Sequence, residues 1–364
     1  MKKIYFITLA AITIIYSFRV IINNSEFYAF DIIRPIIYIV FGFMLFSKAN
    51  INQFKLIETY STKIFLFLFT FQFIFIILQV LMIQSPIVMK ISSLLNSQLV
   101  VQTTWLEYYR AIGLFGGPAG SGVFCIAGLL IGRYLYQASK LNRVKYRIIS
   151  IIALLSTIGM QSKGAFFVIF ITVIFDFILP PRKFNEQSYP PKRFLLANAI
   201  GSLIIGTITF SFFFLIDVYK VRSLGIVFSY IANLFRKSSL FGRLDMHIEN
   251  ILFSGGPIQL LTGTSDTITD KITNRVYDSD FLYFTNVFGL FGLLFFIALS
   301  LILIKVLHRA GMPITISGLY VVASILNPLF TATFSSFPIL TIIYIYYKKD
   351  KVTKLQLNRS VYSS

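Results

Sequence analysis

The chain has almost none of the side chains that build disulfides and metal centres. It holds one cysteine, Cys125, and two histidines, His247 and His308, among 364 residues. A single cysteine forms no internal disulfide framework, and a cysteine-based metal site needs several thiolates. Two histidines far apart in sequence also argue against a catalytic zinc cluster. The sequence therefore predicts no disulfide scaffold, no metal and no other cofactor.

Charged residues are scarce too, and acidic ones are the scarcer. They make up 13% of the chain, against roughly a quarter in soluble domains. Hydrophobic residues make up 56%, the mean hydropathy is +0.78, and 33 Lys and Arg against 14 Asp and Glu give a net charge of +19. Lys and Arg crowd into alternate gaps between apolar runs, as in multi-pass membrane proteins. This pattern predicts membrane lipids, and no nucleic acid, as partners of the basic surface.

Ten apolar runs are candidate membrane-spanning helices, because a span needs about 20 apolar residues, or fewer if flanking groups snorkel. The runs lie at about 4–22, 32–47, 64–83, 118–137, 146–160, 164–180, 194–216, 281–304, 314–327 and 334–347. Three runs are short, so the count lies between nine and eleven spans. The predicted fold class is an all-α polytopic membrane protein in which residues 1–364 form one integral membrane domain.

The basic residues predict the orientation of these spans. The predicted inner gaps carry Lys48, Lys55 and Lys63; Lys140, Arg143, Lys145 and Arg147; Arg182, Lys183, Lys192 and Arg193; Lys305 and Arg309; and the tail from Lys348. The first outer gap, residues 23–31, has no Lys or Arg. Both termini are therefore expected in the cytoplasm, with residues 348–364 as a basic cytoplasmic tail. The first run resembles a signal peptide but has no small-residue cleavage site, so we interpret it as an uncleaved helix.

Two extracytoplasmic segments are too long to be turns, one at 84–117 and one at 217–280. Within the second, residues 226–235 and 240–252 have apolar residues at helical spacing and predict amphipathic helices at the outer interface. The positive-inside rule does not explain the basic residues outside. They are Lys90, Arg110, Lys163, Lys220, Arg222, Arg236, Lys237, Arg243, Lys271 and Arg275. Contact with solvent or lipid headgroups is one explanation, and binding of a polyanionic headgroup such as a lipid diphosphate is the other.

Three outer segments carry residue types suited to such a headgroup. In Arg110–Gly122, glycines follow an Arg, allow close backbone approach and are expected to leave amide donors free; the alternative is a flexible loop or a small-residue helix interface. In Gln161–Gly164, a Lys lies in a tight polar turn, where it either contacts phosphate or snorkels. In Asp278–Asp280, carboxylates either act as a base and sugar ligand or cap a helix.

These segments, in this order, resemble the bacterial O-antigen and capsule repeat-unit polymerases (Wzy-type), which are related to the O-antigen ligases. The shared pattern is an Arg followed by Gly and Pro before a middle span (Arg110 to Pro118), then a Ser-basic-Gly turn (162–164) in which Lys replaces the usual Arg. A long outer loop with spaced Arg follows, and then an acid before a Gly-rich span (Asp278–Asp280 and Gly289–Gly292). The resemblance covers roughly residues 105–300 and implies a GT-C-type architecture.

The resemblance implies an enzyme of the bacterial inner (plasma) membrane. Such a polymerase transfers a growing glycan from undecaprenyl diphosphate to the next lipid-linked repeat unit on the outer face, without a metal or a nucleotide sugar. Its partners are the undecaprenyl-diphosphate-linked oligosaccharide and a regulator of chain length. A hydroxyl of the acceptor sugar attacks C1 of the donor while the lipid diphosphate departs, so cations must meet the departing charge, and a base is the candidate acceptor of the hydroxyl proton.

Candidate residues follow for both tasks. The candidate diphosphate-binding residues are Arg110, Lys163, Arg222, Arg236, Arg243 and Arg275. The candidate catalytic bases are Asp280, Asp278, Glu249 and His247. The choice among the bases stays open, because His247 titrates near neutral pH but has Arg243 one helical turn away, which disfavours its protonated form.

Other classes of protein remain as alternatives. A flippase or transporter of lipid-linked oligosaccharide needs polar residues deep in several spans. Here Arg133 and Asp176, like other ionisable residues of the spans, lie near span ends and are expected to snorkel or sit at an interface. An O-antigen ligase usually carries a His-Asn pair near the position of Asp278, which this chain lacks. A membrane acyltransferase would need a suitably placed histidine.

Overall fold

The structure is a computed structural model, and it is predominantly helical. It describes residues 2–23, 29–48, 50–81, 86, 90, 111–115, 117–184, 199, 261–263, 269–270, 275–276, 280–326, 329–330, 337–349 and 352. Within these ranges lie α1 (Lys2–Asn23), α2 (Ala29–Phe46), α3 (Ile51–Leu81), α4 (Gly117–Gln137), α5 (Arg143–Gly159), α6 (Lys163–Ile178), β1 (Thr269–Asp270), β2 (Arg275–Val276), α7 (Asp280–Arg309), α8 (Ile314–Leu326) and α9 (337–349). The predicted span at 194–216 and the predicted amphipathic helices at 226–235 and 240–252 lie outside the described residues.

Three described helices are long and apolar enough to cross a membrane: Ile51–Leu81, Gly117–Gln137 and Val287–Arg309. Shorter apolar helices lie at Pro35–Phe46, Gly164–Ile178 and Ile314–Ser324. Nearly every residue of α4 is buried, whereas α3 exposes apolar side chains such as Phe67 and Leu81. A central apolar helix and an outer helix with an exposed apolar face are compatible with a helical membrane protein. The number of spans and their orientation stay predictions.

Polar contacts mark two opposite ends of the helical bundle. One end, called the basic end, holds Ser47, Gln137, Ala310 and Lys348. There Lys348 Nζ donates to the Ser47 carbonyl and Gln137 Nε2 donates to the Ala310 carbonyl, both at 2.7 Å. At the glycine end, which holds Gln79, Gly113, Ser121 and Ser162, residues 111–115 pack against α3, α4 and the end of α5. The segments at the basic end are ones that the sequence predicts on the cytoplasmic side of the membrane. The segments at the glycine end are ones that it predicts on the outer side.

Helix α3 begins at Ile51, well before the apolar run that starts near residue 64. Its polar first half is stabilised by α4 and the turn after it. The buried Glu58 carboxylate accepts hydrogen bonds from the Tyr134 hydroxyl and from Lys140 Nζ, both at 2.7 Å. Thr62 Oγ1 donates to the carbonyl of Glu58. The segment predicted as an inner loop is therefore helical, because a distant helix supplies partners that periodicity does not reveal.

Two further details refine the sequence prediction. Lys348, the first residue of the predicted tail, belongs to α9 and is 1% exposed, so the helix continues into the segment assigned to the tail. Strands β1 and β2 form a short antiparallel pair with Thr269 opposite Val276, so the all-α prediction needs this small correction. Both of these residues are β-branched and favour an extended backbone.

Two glycines break α7 near its start. Gly289 has φ +58° and ψ −138°, a conformation that essentially only glycine adopts without strain. A Cβ atom on Gly292 would collide with the carbonyl oxygen of Phe284 in the preceding segment. Helix α7 is therefore two helical segments joined at a kink, and the first one begins with Asp280. The Gly311 turn joins the end of α7 to α8 at the basic end, and the first segment of α7 folds back on the second, because the rings of Phe281 and Phe296 lie 6.0 Å apart.

We expect Gly292→Ala to destabilise the protein by about 1–3 kcal/mol, because the added methyl group meets a backbone carbonyl that cannot move aside without shifting a helix. Thermal unfolding in detergent can be followed with a fluorogenic thiol dye, since Cys125 is the chain's only cysteine and is buried. Gly318→Ala in α8 is the matched control, because nothing lies within 4 Å of its Cβ position. Equal melting temperatures for the two variants would contradict the kink.

Candidate functional site

Residues 111–115, which follow Arg110, are held at the glycine end by backbone and side-chain contacts. The amide of Ala111 donates to the carbonyl of Gly159 at the end of α5, at 3.1 Å. Gln79 is a buried residue of α3, and its Oε1 accepts from the amides of Ile112 and Gly113 at 3.0 and 2.9 Å. Gly113 has φ +73°, and a Cβ atom there would collide with the side chain of Ser121.

The start of α4 completes this packing. Ser121 Oγ accepts from the amide of Phe115 at 3.0 Å, and the ring of Phe115 stacks on Phe124 with centroids 4.2 Å apart. Gln72 Nε2 donates to the carbonyl of Ser121 at 2.9 Å. The expectation that this glycine-rich segment leaves its amides free is wrong for Gly113, whose amide is taken up by Gln79. Packing explains this glycine without any ligand.

The Ser162 turn lies against the same part of α4. Gly122 has no side chain, and a Cβ atom there would collide with the Ser162 hydroxyl. This close approach is the small-residue helix interface that the sequence offers as an alternative. Ser162 is 2% exposed, does not cap α6 with its side chain, and its Oγ has no hydrogen-bond partner among the described residues. Lys163 begins α6, and its side chain lies outside the described part of the structure.

Two of the three predicted segments therefore lie together. The residues after Arg110, the first turns of α4 and the turn before Lys163 form one cluster at the glycine end. The amino termini of α4 and α6 begin in this cluster, so the positive ends of two helix dipoles lie at the same end of the bundle.

Asp280 lies at the start of α7 and is fully buried. Its Oδ2 accepts from the amide of Phe330 at 2.8 Å, and the carbonyl of Phe330 accepts from the Tyr38 hydroxyl at 2.7 Å. The Asp280 carboxylate therefore connects α7 to the turn at 329–330, and the Tyr38 hydroxyl connects that turn to α2. One oxygen of Asp280 serves this link, and its use as a base stays a prediction.

The other predicted site residues are not placed by the structure. Seven of them lie outside the described residues: Asp278, Glu249, His247, Arg110, Arg222, Arg236 and Arg243. Arg275 is described only as a backbone position in β2, opposite Asp270. The predicted cationic lining of the site thus stays a prediction for all six basic residues.

A buried ion pair is the functional-site candidate that sequence reasoning missed. Arg133 Nη1 on α4 donates to Asp176 Oδ1 on α6 at 2.5 Å, and the two side chains are 1% and 3% exposed. The Tyr146 hydroxyl of α5 donates to the other carboxylate oxygen. The expectation that Arg133 and Asp176 snorkel or sit at an interface is wrong, because each finds its partner inside the bundle.

The signal for this pair was present in the sequence. Arg133, Tyr146 and Asp176 each lie within about one helical turn of the same end of three consecutive helices. In an antiparallel arrangement with short connections, residues at such positions lie at similar depth. Comparing depth across helices, rather than judging each residue on its own helix, would have paired them.

Comparison with protein-family models, with curated proteins and with solved structures finds no match for this chain.

Proposed function

We propose that this protein is a polysaccharide repeat-unit polymerase of the Wzy type that its sequence resembles. It would transfer a growing glycan from undecaprenyl diphosphate to the next lipid-linked repeat unit on the outer face of the bacterial plasma membrane. The observation that carries the proposal is the cluster at the glycine end, in which the segment after Arg110 meets the turn before Lys163. Two motifs of the resemblance, far apart in sequence, thus adjoin in space.

The chemistry of this end suits an anionic headgroup. Two helix amino termini favour negative charge, and the Ser162 hydroxyl needs a hydrogen-bond partner that the described residues do not supply. Because α6 has no side-chain cap at Ser162, its first amides are not satisfied by that hydroxyl. These observations support a diphosphate subsite beside Lys163, whereas the occupied amide of Gly113 does not contribute to it.

The proposed reaction is a glycosyl transfer between two lipid-anchored substrates. An acceptor hydroxyl attacks C1 of the donor sugar, the C1–O bond to the diphosphate breaks, and undecaprenyl diphosphate leaves with the bonding electrons. The hydroxyl proton passes to a base, for which Asp280 is the candidate within the described residues. Cations such as Arg110 and Arg243 meet the departing charge, and losing one preorganised donor typically costs about 2.7–4 kcal/mol of barrier.

A transporter of lipid-linked oligosaccharide is the second candidate, and the buried Arg133–Asp176 pair favours it. Ionisable residues inside membrane bundles often mark substrate or ion pathways. Gel analysis of glycans from a deletion strain separates the two functions. We expect one repeat unit on the lipid acceptor after loss of a polymerase, because the unit is still exported and ligated. Loss of all glycan, including that single unit, would instead support the transporter or a ligase.

We expect Arg243→Ala to abolish long-chain polysaccharide at an unchanged protein level, because it removes a cation from the diphosphate site. Arg143→Ala is the matched control, since Arg143 is exposed at the start of α5 at the basic end. A banding pattern like that of the wild type for Arg243→Ala would refute the role of this residue.

We expect Asp280→Asn to reduce polymer formation while the protein stays folded. The Asn side chain retains an oxygen that accepts from the amide of Phe330, but it cannot take up a proton as a carboxylate does. Protein level and polymer length are measured together, with Asp280→Ala as the variant that also removes the link to Phe330. Normal polymer from Asp280→Asn, with protein loss in Asp280→Ala, would leave Asp280 a purely structural role.

A further inference from the structure

The guanidinium of Arg133 is only partly used by its protein partners. Asp176 takes up Nη1, whereas Nε and Nη2 are buried without a hydrogen-bond partner among the described residues. The N–H bonds of Nε and Nη2 on one edge of a guanidinium are parallel, and this edge binds two oxygens of a carboxylate or phosphate at once. The part of Arg133 best suited to bidentate binding is thus the part that the described protein leaves unoccupied.

Leaving this edge empty is costly. A buried donor without a partner is less stable than the same donor bonded to water, and the cost is larger when the donor is charged. Inside a membrane bundle the alternative of reaching water is also restricted. Asp176 balances the charge of Arg133 but accepts only from Nη1, because its other oxygen accepts from Tyr146. Nothing among the described residues therefore satisfies Nε and Nη2, which leaves this edge open to a group from outside them.

The surroundings offer further donors at this position. The hydroxyls of Tyr320, which shares a hydrogen bond with Thr172 Oγ1 at 3.1 Å, and of Tyr346 lie within electrostatic range of Arg133. Within the described residues, the Tyr346 hydroxyl donates over long distances, 3.2 Å to Gln137 Oε1 and 3.3 Å to the Leu130 carbonyl, so a small rotation redirects it. Arg133, Tyr320 and Tyr346 come from three different helices, which makes this a built site rather than a feature of one helix.

The location also suits a negatively charged group. Arg133 is about one helical turn from the end of α4, so a ligand entering at the basic end travels about 6 Å along the helix axis. Exposed Arg143 and Arg147 at the start of α5 raise the positive potential there and offset the charge of Asp176.

We propose that the Nε–Nη2 edge of Arg133 is a binding site for an oxyanion, a phosphate or carboxylate group, inside the bundle near its basic end. The site is separate from the proposed glycan site, which lies at the glycine end. It goes beyond the proposed function and holds for either candidate function. The oxyanion belongs either to a small free anion or to a lipid headgroup, and the two sources share the same bidentate chemistry.

The test measures thermal unfolding of the full-length purified protein through exposure of Cys125. Inorganic phosphate replaces chloride at constant pH and ionic strength, and acetate serves as the carboxylate probe. At saturation we expect phosphate or acetate to raise the melting temperature of the wild type by about 3 °C or more. Nanodiscs of phosphatidylglycerol against phosphatidylcholine form the second arm. Stabilisation only in phosphatidylglycerol would identify a lipid headgroup as the source.

Variants assign the effect to Arg133. Arg133→Lys keeps a positive charge for Asp176 but lacks the planar fork, so we expect its anion response to fall below about 1 °C. Arg143→Lys is the matched control and retains the full response. We expect Arg243→Ala to retain the response as well, because Arg243 belongs to the proposed glycan site. Polymer length in this variant tests the proposed function, and its anion response tests the Arg133 site, so either proposal can fail without the other.

Two results would overturn the proposal. One is an equal anion response in wild type and Arg133→Lys; the other is no response of the wild type to phosphate, acetate or phosphatidylglycerol, which would mean that no oxyanion binds this edge. If Arg133→Lys does not fold, we measure the binding of radiolabelled phosphate to the wild type by equilibrium dialysis, once in detergent and once in phosphatidylglycerol nanodiscs. Saturable binding of about one equivalent that survives Arg243→Ala supports the site, and binding well below this in both arms overturns it.

Discussion

The fold depends on satisfying polar groups inside an apolar bundle. Where water is excluded, a buried donor needs an acceptor, and the helices meet most of this need through single hydrogen bonds to neighbouring backbones. Tyr5 donates to the carbonyl of Tyr38, Tyr38 donates to that of Phe330, and Gln137 donates to that of Ala310. Each bond crosses from one helix to another element, so it fixes the depth at which the two pack. Apolar contacts alone, which tolerate sliding, do not set this register.

The positions of the helices follow from the sequence because apolarity is a local property. Predicted spans such as 118–137 and 164–180 coincide with α4 and α6 to within a few residues. The start of α3 does not follow in this way, because its first turns depend on the pairing of Glu58 with Tyr134 and Lys140, partners far along the chain. Local patterns predict the helices formed by apolar runs. Whether a neighbouring polar segment extends such a helix depends on partners far along the chain.

In the candidate site, too, local patterns predict one part of the arrangement and long-range contacts determine the rest. The sequence predicts that the segment after Arg110 and the turn at Ser162 belong to one face, and the structure places the described parts of both in one cluster. It also predicts free amides at the glycines, whereas Gln79 and Ser121 occupy the amides of Gly113 and Phe115. A glycine in sequence signals close approach, and only the three-dimensional partner shows whether a ligand or a side chain approaches.

The two polar regions of α4 bear on the choice between a polymerase and a transporter. Ser121 at the glycine end and Arg133 near the basic end are separated by about 18 Å along one helix. A diphosphate is too short to contact both, so an anion bound at each would occupy two distinct sites. A polymerase requires its diphosphate only at the glycine end, and Arg133 then serves a separate oxyanion. In a transporter, one lipid headgroup would occupy the two regions in succession. When it reaches Arg133, it would compete there with a small anion. Competition between a lipid diphosphate and a small anion bound at Arg133 therefore indicates a transport path, and simultaneous binding indicates a polymerase with a second site.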